Sequence, residues 1–138
     1  MADRVVFDTS AFLTLTGDEP GADRVQAHVT DAIAGRVQLH ASFVSLTEVE
    51  YITLQEEGEE VAQQRLAEVR TLPIQWHHSD NALCSAAAKL KAAHRISFAD
   101  SFVAALAQRL DATLVHKDSE FDALADIVKL AGLPPKNV

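Results

Sequence analysis

The chain has 138 residues, 48% of them apolar and 23% charged, which fits one globular domain able to fold without staples. Twelve basic residues against 20 acidic ones give a net charge of −8. That excludes a protein that coats nucleic acid non-specifically, but not an enzyme that reaches it through a local basic patch and a metal. Cys84 is the single cysteine, so no internal disulfide framework exists, and the six histidines show no zinc-ligand spacing. No apolar run approaches the roughly 20 residues needed to span a bilayer. Met1-Ala2-Asp3-Arg4 leads into a short apolar segment, which is no signal peptide, so the expectation is a cytoplasmic protein with no membrane contact.

In chain order, Arg4-Val5-Val6-Phe7 reads as a strand that stops at Asp8-Thr9-Ser10, where Thr9 or Ser10 caps a helical stretch. After the loop Gly17-Asp18-Glu19-Pro20-Gly21, a helix from Ala22 to Ala34 places Val25, Val29 and Ile33 on one stripe, and Gly35 ends it. Val37-Gln38-Leu39-His40-Ala41 is a strand. Ser45 opens a helix with Glu48 three residues on, a capping-box pattern, and Gly58 closes it. Glu59 to Arg70 is a helix, and Pro73-Ile74-Gln75-Trp76 a short strand. Ser79-Asp80 caps an alanine-rich helix carrying Leu83, Ala87 and Leu90. Ser97 begins another helix, with Asp100 three residues later and an apolar face of Phe102, Val103, Leu106 and Leu110. Thr113-Leu114-Val115-His116 is a strand followed by Asp118, a short helix from Ser119, and a weak strand Ile127-Val128-Lys129-Leu130. No repeat or linker interrupts the pattern, so residues 1–138 read as a single domain.

Strands alternating with helices specify an α/β domain with a mostly parallel sheet and helices on both faces. Sites in such sheets lie beyond the carboxyl ends of the strands. Asp8, Glu48, Asp100 and Asp118 each sit at a strand-to-helix junction or in the first turn of a helix, on that edge. Any one of them is explained by capping, worth roughly 0.3–1 kcal/mol. Four converging carboxylates repel, and a hard divalent cation, Mg²⁺ or Mn²⁺, removes the conflict. Such a centre activates water for phosphodiester cleavage.

Four segments occur in a recognisable order: Val5-Val6-Phe7-Asp8-Thr9-Ser10-Ala11, Ser45-Leu46-Thr47-Glu48-Val49, the run from Ile96 to Ala107 around Ala99-Asp100-Ser101, and Leu114-Val115-His116-Lys117-Asp118-Ser119-Glu120-Phe121. With them the chain resembles the PIN domains, and among these the VapC-like toxin ribonucleases of type II toxin–antitoxin pairs. The resemblance implies a three-layer α/β/α fold and a Mg²⁺-dependent endoribonuclease that cleaves RNA with metal-activated water. It implies that Asp8, Glu48, Asp100 and Asp118 are the catalytic acids and hold the metal. Ser10 matches a small polar position that supports the first Asp, and Glu120 falls where many members carry a further acid. His116 departs from the family's usual Thr or Ser. The resemblance also implies a small antitoxin partner and a homodimer, for which the apolar faces of the helices from Ala22 and Glu59 are available.

Lys89, Lys91, His94 and Arg95 form a basic cluster before the Asp100 helix, readable as a solvated face or a phosphate-positioning patch. Trp76 and Tyr51 read as packing residues or base-stacking ones. His77-His78 reads as surface, and Cys84 as a small buried residue. An Asp-x-Asp phosphatase nucleophile is excluded because Ser10 stands where the second Asp is needed. The alternative from another class is a catalytically inactive PIN-fold module that binds protein.

Overall fold

The computed structural model describes residues 2–135. Strand β1 (Asp3–Phe7) lies at the centre of a five-stranded sheet, flanked by β2 (Val37–Ser42) and β4 (Thr113–His116). Strand β3 (Ile74–His77) pairs outside β2, and β5 (Lys129–Gly132) outside β4. The order is β3-β2-β1-β4-β5, and every pairing is parallel. Parallel neighbours need crossover connections, and helices supply all but the last. Helices α1 (Thr9–Thr16) and α2 (Ala22–Ile33) join β1 to β2, and α3 (Phe43–Glu57) and α4 (Glu59–Thr71) join β2 to β3. Helices α5 (Asn81–Ala93) and α6 (Phe98–Leu110) carry the chain from β3 across to β4, and a short 3₁₀ helix (Ser119–Leu124) leads to β5.

The alternation of side chains along β1 divides the core into two layers. Val6 and Leu114 face α5 and α6, where Leu83, Ala87, Val103 and Leu106 cover them. Val5, Phe7, Leu39 and Val115 face α1 to α4, against Phe12, Val25, Val29, Leu66 and Val69. Phe7 and Phe12 are fully buried edge to face, with ring centroids 5.6 Å apart. Each such burial is worth roughly 1.5–3 kcal/mol. This is the three-layer α/β/α arrangement that the sequence pattern specifies.

Several local expectations are corrected. The stripe on α2 stops at Val29, because Ile33 is 74% exposed at the helix end. On α4 the buried residues are Ala62, Leu66 and Val69, which pack into the core. Cys84 is exposed: it lies one position off the Leu83, Ala87, Leu90 stripe and points to solvent. The last strand is Lys129–Gly132, two residues later than the Ile127–Leu130 run suggests. The expected domain limits, 1–138, include Met1 and residues 136–138, which lie outside the described residues.

Candidate active site

Strand order reverses between β1 and β4, because β1 connects outward to β2 and β4 to β5. Diverging connections leave a crevice at the carboxyl ends of those two strands. Asp8 directly follows β1, and its amide donates to the Val115 carbonyl of β4 at 3.2 Å. Asp118 lies two residues past β4. The Ser10 hydroxyl sits between the two strand ends. It donates to Asp8 Oδ1 at 2.6 Å and accepts from the Lys117 amide at 2.9 Å. Lys117 in turn reaches Glu19 Oε1 at 3.3 Å and the Pro20 carbonyl at 3.2 Å, tying the loop after α1 to the same edge.

Asp8, not Thr9 or Ser10, caps α1: Oδ1 accepts from the Ala11 amide at 2.9 Å. Asp118 caps the 3₁₀ helix, accepting from the Glu120 amide at 2.9 Å. Ser97 caps α6, and its hydroxyl accepts from the Asp100 amide at 3.0 Å. The capping box at Ser45 does not form. Helix α3 starts at Phe43 under a Ser42 cap, because β2 runs on to Ser42, which pairs with His77. Glu48 therefore has no cap function. Its Oε1 accepts from the Thr9 hydroxyl at 2.7 Å, and Thr9 Oγ1 lies 3.1 Å from Ser45 Oγ. Thr9 is a site residue that motif reading assigns only to capping.

The four acids act on one another. Burial pushes Asp8 up to about 7; Ser10 and the Ala11 amide oppose this, while the charges of Asp118 and Glu48 add to it. Burial also pushes Asp100 up to about 7, helped by the charges of Asp118, Asp8 and Glu48 and opposed by Ser97. Two acids raised this far, by burial first and by acidic neighbours second, mark a candidate functional site. Among the described residues, Asp100, Asp118 and Glu120 form a close group, with ligand oxygens within 4.8 Å of one another. Asp8 and Glu48 are outside that close group but within electrostatic reach of it.

These acids fit a divalent cation. The donors are all hard oxygens, and repulsion among them is the cost a cation removes. His116 is buried beneath the group, with Nδ1 2.9 Å from the Asp118 carbonyl and its ring edge-on to Phe121 at 5.3 Å. It shapes the turn that presents Asp118.

The PIN domain family model matches residues 5–127. The chain belongs to the PIN domain family. A similar fold occurs in VapBC2 from Rickettsia felis bound to a fragment of promoter DNA. That chain has a TM-score of 0.75 and 16% identity, over 95% of this chain and 99% of that one. VapC20 of Mycobacterium tuberculosis, a sarcin–ricin loop cleaving toxin, matches with a TM-score of 0.66 and 18% identity over 91% and 97%. DNA-bound VapBC from Salmonella typhimurium matches with a TM-score of 0.71 and 14% identity over 96% and 98%. At these identities the likeness is one of fold, and in fold the chain is VapC-like. Comparison with curated protein sequences gives no match. Among the described residues, no helix is long and apolar enough to cross a membrane.

Residues outside the acid group also change in standing. His77 is not a lone surface histidine: its Nε2 lies 2.9 Å from Nδ1 of His40, which is buried. Trp76 stacks on Phe12 with centroids 5.3 Å apart, so that ring face belongs to the core. Tyr51 is 43% exposed, with its hydroxyl 3.5 Å from Glu48 Oε2. Lys89, Lys91 and Arg95 are exposed on α5 and just after it, and His94 is half-buried.

Proposed function

We propose that this PIN domain is a metal-dependent endoribonuclease and the toxin of a type II toxin–antitoxin pair. The observation that carries the reading is the gathering of Asp8, Glu48, Asp100 and Asp118 around the β1/β4 crevice, two of them raised to about 7 by burial and by their acidic neighbours. We assign these four as the catalytic acids and the holders of Mg²⁺ or Mn²⁺, with Glu120 joining Asp100 and Asp118. When bound, the cation supplies Lewis-acid stabilisation of the scissile phosphate and of the attacking water.

The protein's own part is positioning and proton storage. Ser10 and the Ala11 amide fix one oxygen of Asp8, and Thr9 fixes one oxygen of Glu48. The Glu120 amide fixes Asp118. Asp8 and Asp100 hold protons near neutral pH while the group lacks a cation and release them when positive charge enters. Held in this way, the carboxylates need little rearrangement to receive a phosphodiester and cation together.

The likeness to toxin–antitoxin complexes supports an antitoxin partner. A group so rich in carboxylates is plugged best by an Arg, which pairs a carboxylate bidentately. A homodimer, a cytoplasmic location and a single domain complete the proposal. The test is cleavage of total RNA by the purified chain with Mg²⁺, Mn²⁺ or EDTA. Metal-dependent cuts, and growth arrest relieved by the cognate antitoxin, are the expected results. No cleavage under any metal condition would favour the alternative, an inactive protein-binding PIN module.

A further inference from the structure

Beside the acid group, a groove of about 440 Å³ opens between α3 and α6. Phe43, Val44, Thr47, Tyr51 and Phe98 line it, and its single charged lining residue is Glu48. Phe98 is 70% exposed, and with Phe43, Val44 and Tyr51 it makes a contiguous apolar lining. It stands two residues before Asp100 on the same helix.

The ring is also held in place. Phe98 meets Phe102 edge to face at 5.3 Å, and Phe102 meets Phe43 in the same way at 5.5 Å. This chain of rings anchors the base of Phe98 and leaves most of its surface in water. On the opposite wall Tyr51 keeps its hydroxyl near Glu48. Thr47 and Ser97 add hydroxyls at the rim.

We propose that this groove seats a nucleobase flanking the scissile phosphate, with Phe98 as its stacking platform. The inference rests on the ribonuclease reading and names how that site takes its substrate. Three observations select this occupant. The groove is continuous with the acid group, since Glu48 belongs to both and Ser97 and Ala99 bracket Phe98 next to Asp100. A nucleotide whose phosphate lies at the acids carries its base on the adjoining sugar, within reach of this apolar wall. None of the lining residues is cationic, so nothing in the groove itself pairs with a phosphate. A base is uncharged, has a π-face for Phe98 and has polar edges for Tyr51 and Thr47. Stacking also suits a chain of net charge −8, because it needs no counter-charge.

The test uses single-stranded RNA 12-mers carrying one 2-aminopurine each, whose fluorescence is quenched by stacking. Binding is titrated with Ca²⁺ present, and cleavage is followed separately with Mg²⁺. The expected result is quenching at a defined position on binding to the wild type. Phe98→Ala should lose the quenching and weaken binding or raise KM on the order of 10-fold, with kcat nearly unchanged. Phe98→Trp should restore both. Because Phe98 is largely exposed, the variants should keep the wild-type melting temperature, which circular dichroism checks. If the wild type cleaves RNA and Phe98→Ala leaves quenching, affinity and KM unchanged, the stacking proposal falls while the ribonuclease reading stands. Phe98-dependent quenching without cleavage would keep the base seat and remove the catalytic reading. If the substitution weakens only antitoxin binding and no RNA parameter, the groove is a protein-docking face and the proposal is overturned.

Discussion

Thr9 donates its hydroxyl to Glu48 Oε1 at 2.7 Å, joining the first turn of α1 to the second turn of α3. The bond fixes one Glu48 oxygen, and the other lies 3.5 Å from the Tyr51 hydroxyl. Thr9 is itself nearly buried, so it acts through Glu48 and not on a substrate. Thr9→Val keeps the shape and removes the donor. Loss of such a supporting bond typically costs 10–100-fold in metal affinity or activity. We expect a loss of that size in Mn²⁺ affinity, measured by titration calorimetry, with Thr9→Ser restoring most of it. An unchanged affinity would place Glu48 outside the cation site.

Amide substitutions separate capping from metal binding. Asn caps a helix about as well as Asp, so Asp8→Asn and Asp118→Asn keep the bonds from Ala11 and Glu120. In EDTA, the variants Asp8→Asn, Glu48→Gln, Asp100→Asn and Asp118→Asn should be neutral or stabilised, because repulsion is relieved. Mg²⁺ at about 100 times its dissociation constant should stabilise the wild type by roughly 2.7 kcal/mol. Asp8→Asn and Asp100→Asn should lose most of that gain and most cleavage. Melts with and without Mg²⁺, beside an RNA assay, decide the matter. Variants that keep both the gain and the wild-type rate would sink the assignment.

The stability of the metal-free protein should have an inverted pH dependence from these acids. Asp8 and Asp100 rise from 3.8 to about 7 on folding, burial being the main cause. Between about pH 4 and 7 the unfolded chain has released protons that the folded chain keeps. Their contribution therefore destabilises increasingly as pH rises through that window and levels off above it. Histidines work in the opposite direction. Burial lowers His28, His40 and His77 from 6.5, so their contribution is lost as pH falls below that value. Subtracting the Asp8→Asn melting curve from the wild-type curve in EDTA cancels the histidines. The difference should grow against the wild type from pH 5 to 7.5. A flat difference would show that Asp8 is ionised throughout.

Asp8, Asp100 and Asp118 were legible because local chemistry fixes each at a helix start, Asp8 and Asp118 just past a strand end, whereas Glu48 lies in the second turn of α3. The sheet-wide pattern was legible for the same reason, through short apolar runs separated by helical stripes. What failed depended on register between distant segments. Ser42 and Ser45 are both plausible caps, and only the pairing of Ser42 with His77 decides that α3 begins at Phe43. The His40–His77 contact spans 37 positions and needs that same pairing. Cys84 was misplaced by composition, since neighbouring alanines hid which side of α5 is buried.

The histidine pair carries its own prediction. With the ring nitrogens 2.9 Å apart, one donates and the other accepts, and His40 has little access to water. His77→Ala leaves the buried His40 nitrogen without this partner. Such a loss costs roughly 1–3 kcal/mol. Urea unfolding at pH 7.5 should show that loss, and His77→Gln should recover part of it. Equal stability for His77→Ala and wild type would mean that water replaces the bond without penalty.

Glu120 supplies the sharpest test of geometry against motif. The four-acid pattern leaves it as a supernumerary acid, whereas the structure groups its oxygen with those of Asp100 and Asp118, without Asp8 and Glu48. Glu120 is exposed, so Glu120→Gln disturbs no packing, and its backbone amide still donates to Asp118. If the close group is where a cation binds, Glu120→Gln should weaken Mn²⁺ affinity by at least as much as Glu48→Gln does. Glu120→Asp shortens the reach by one methylene and should give an intermediate loss. Calorimetric titration of the three variants, with thermal melts in EDTA as a control for folding, orders the acids by their hold on the metal. Wild-type affinity in Glu120→Gln together with a collapse in Glu48→Gln would return the site to the four acids of the motif and leave Glu120 as a solvated carboxylate at the mouth of the crevice.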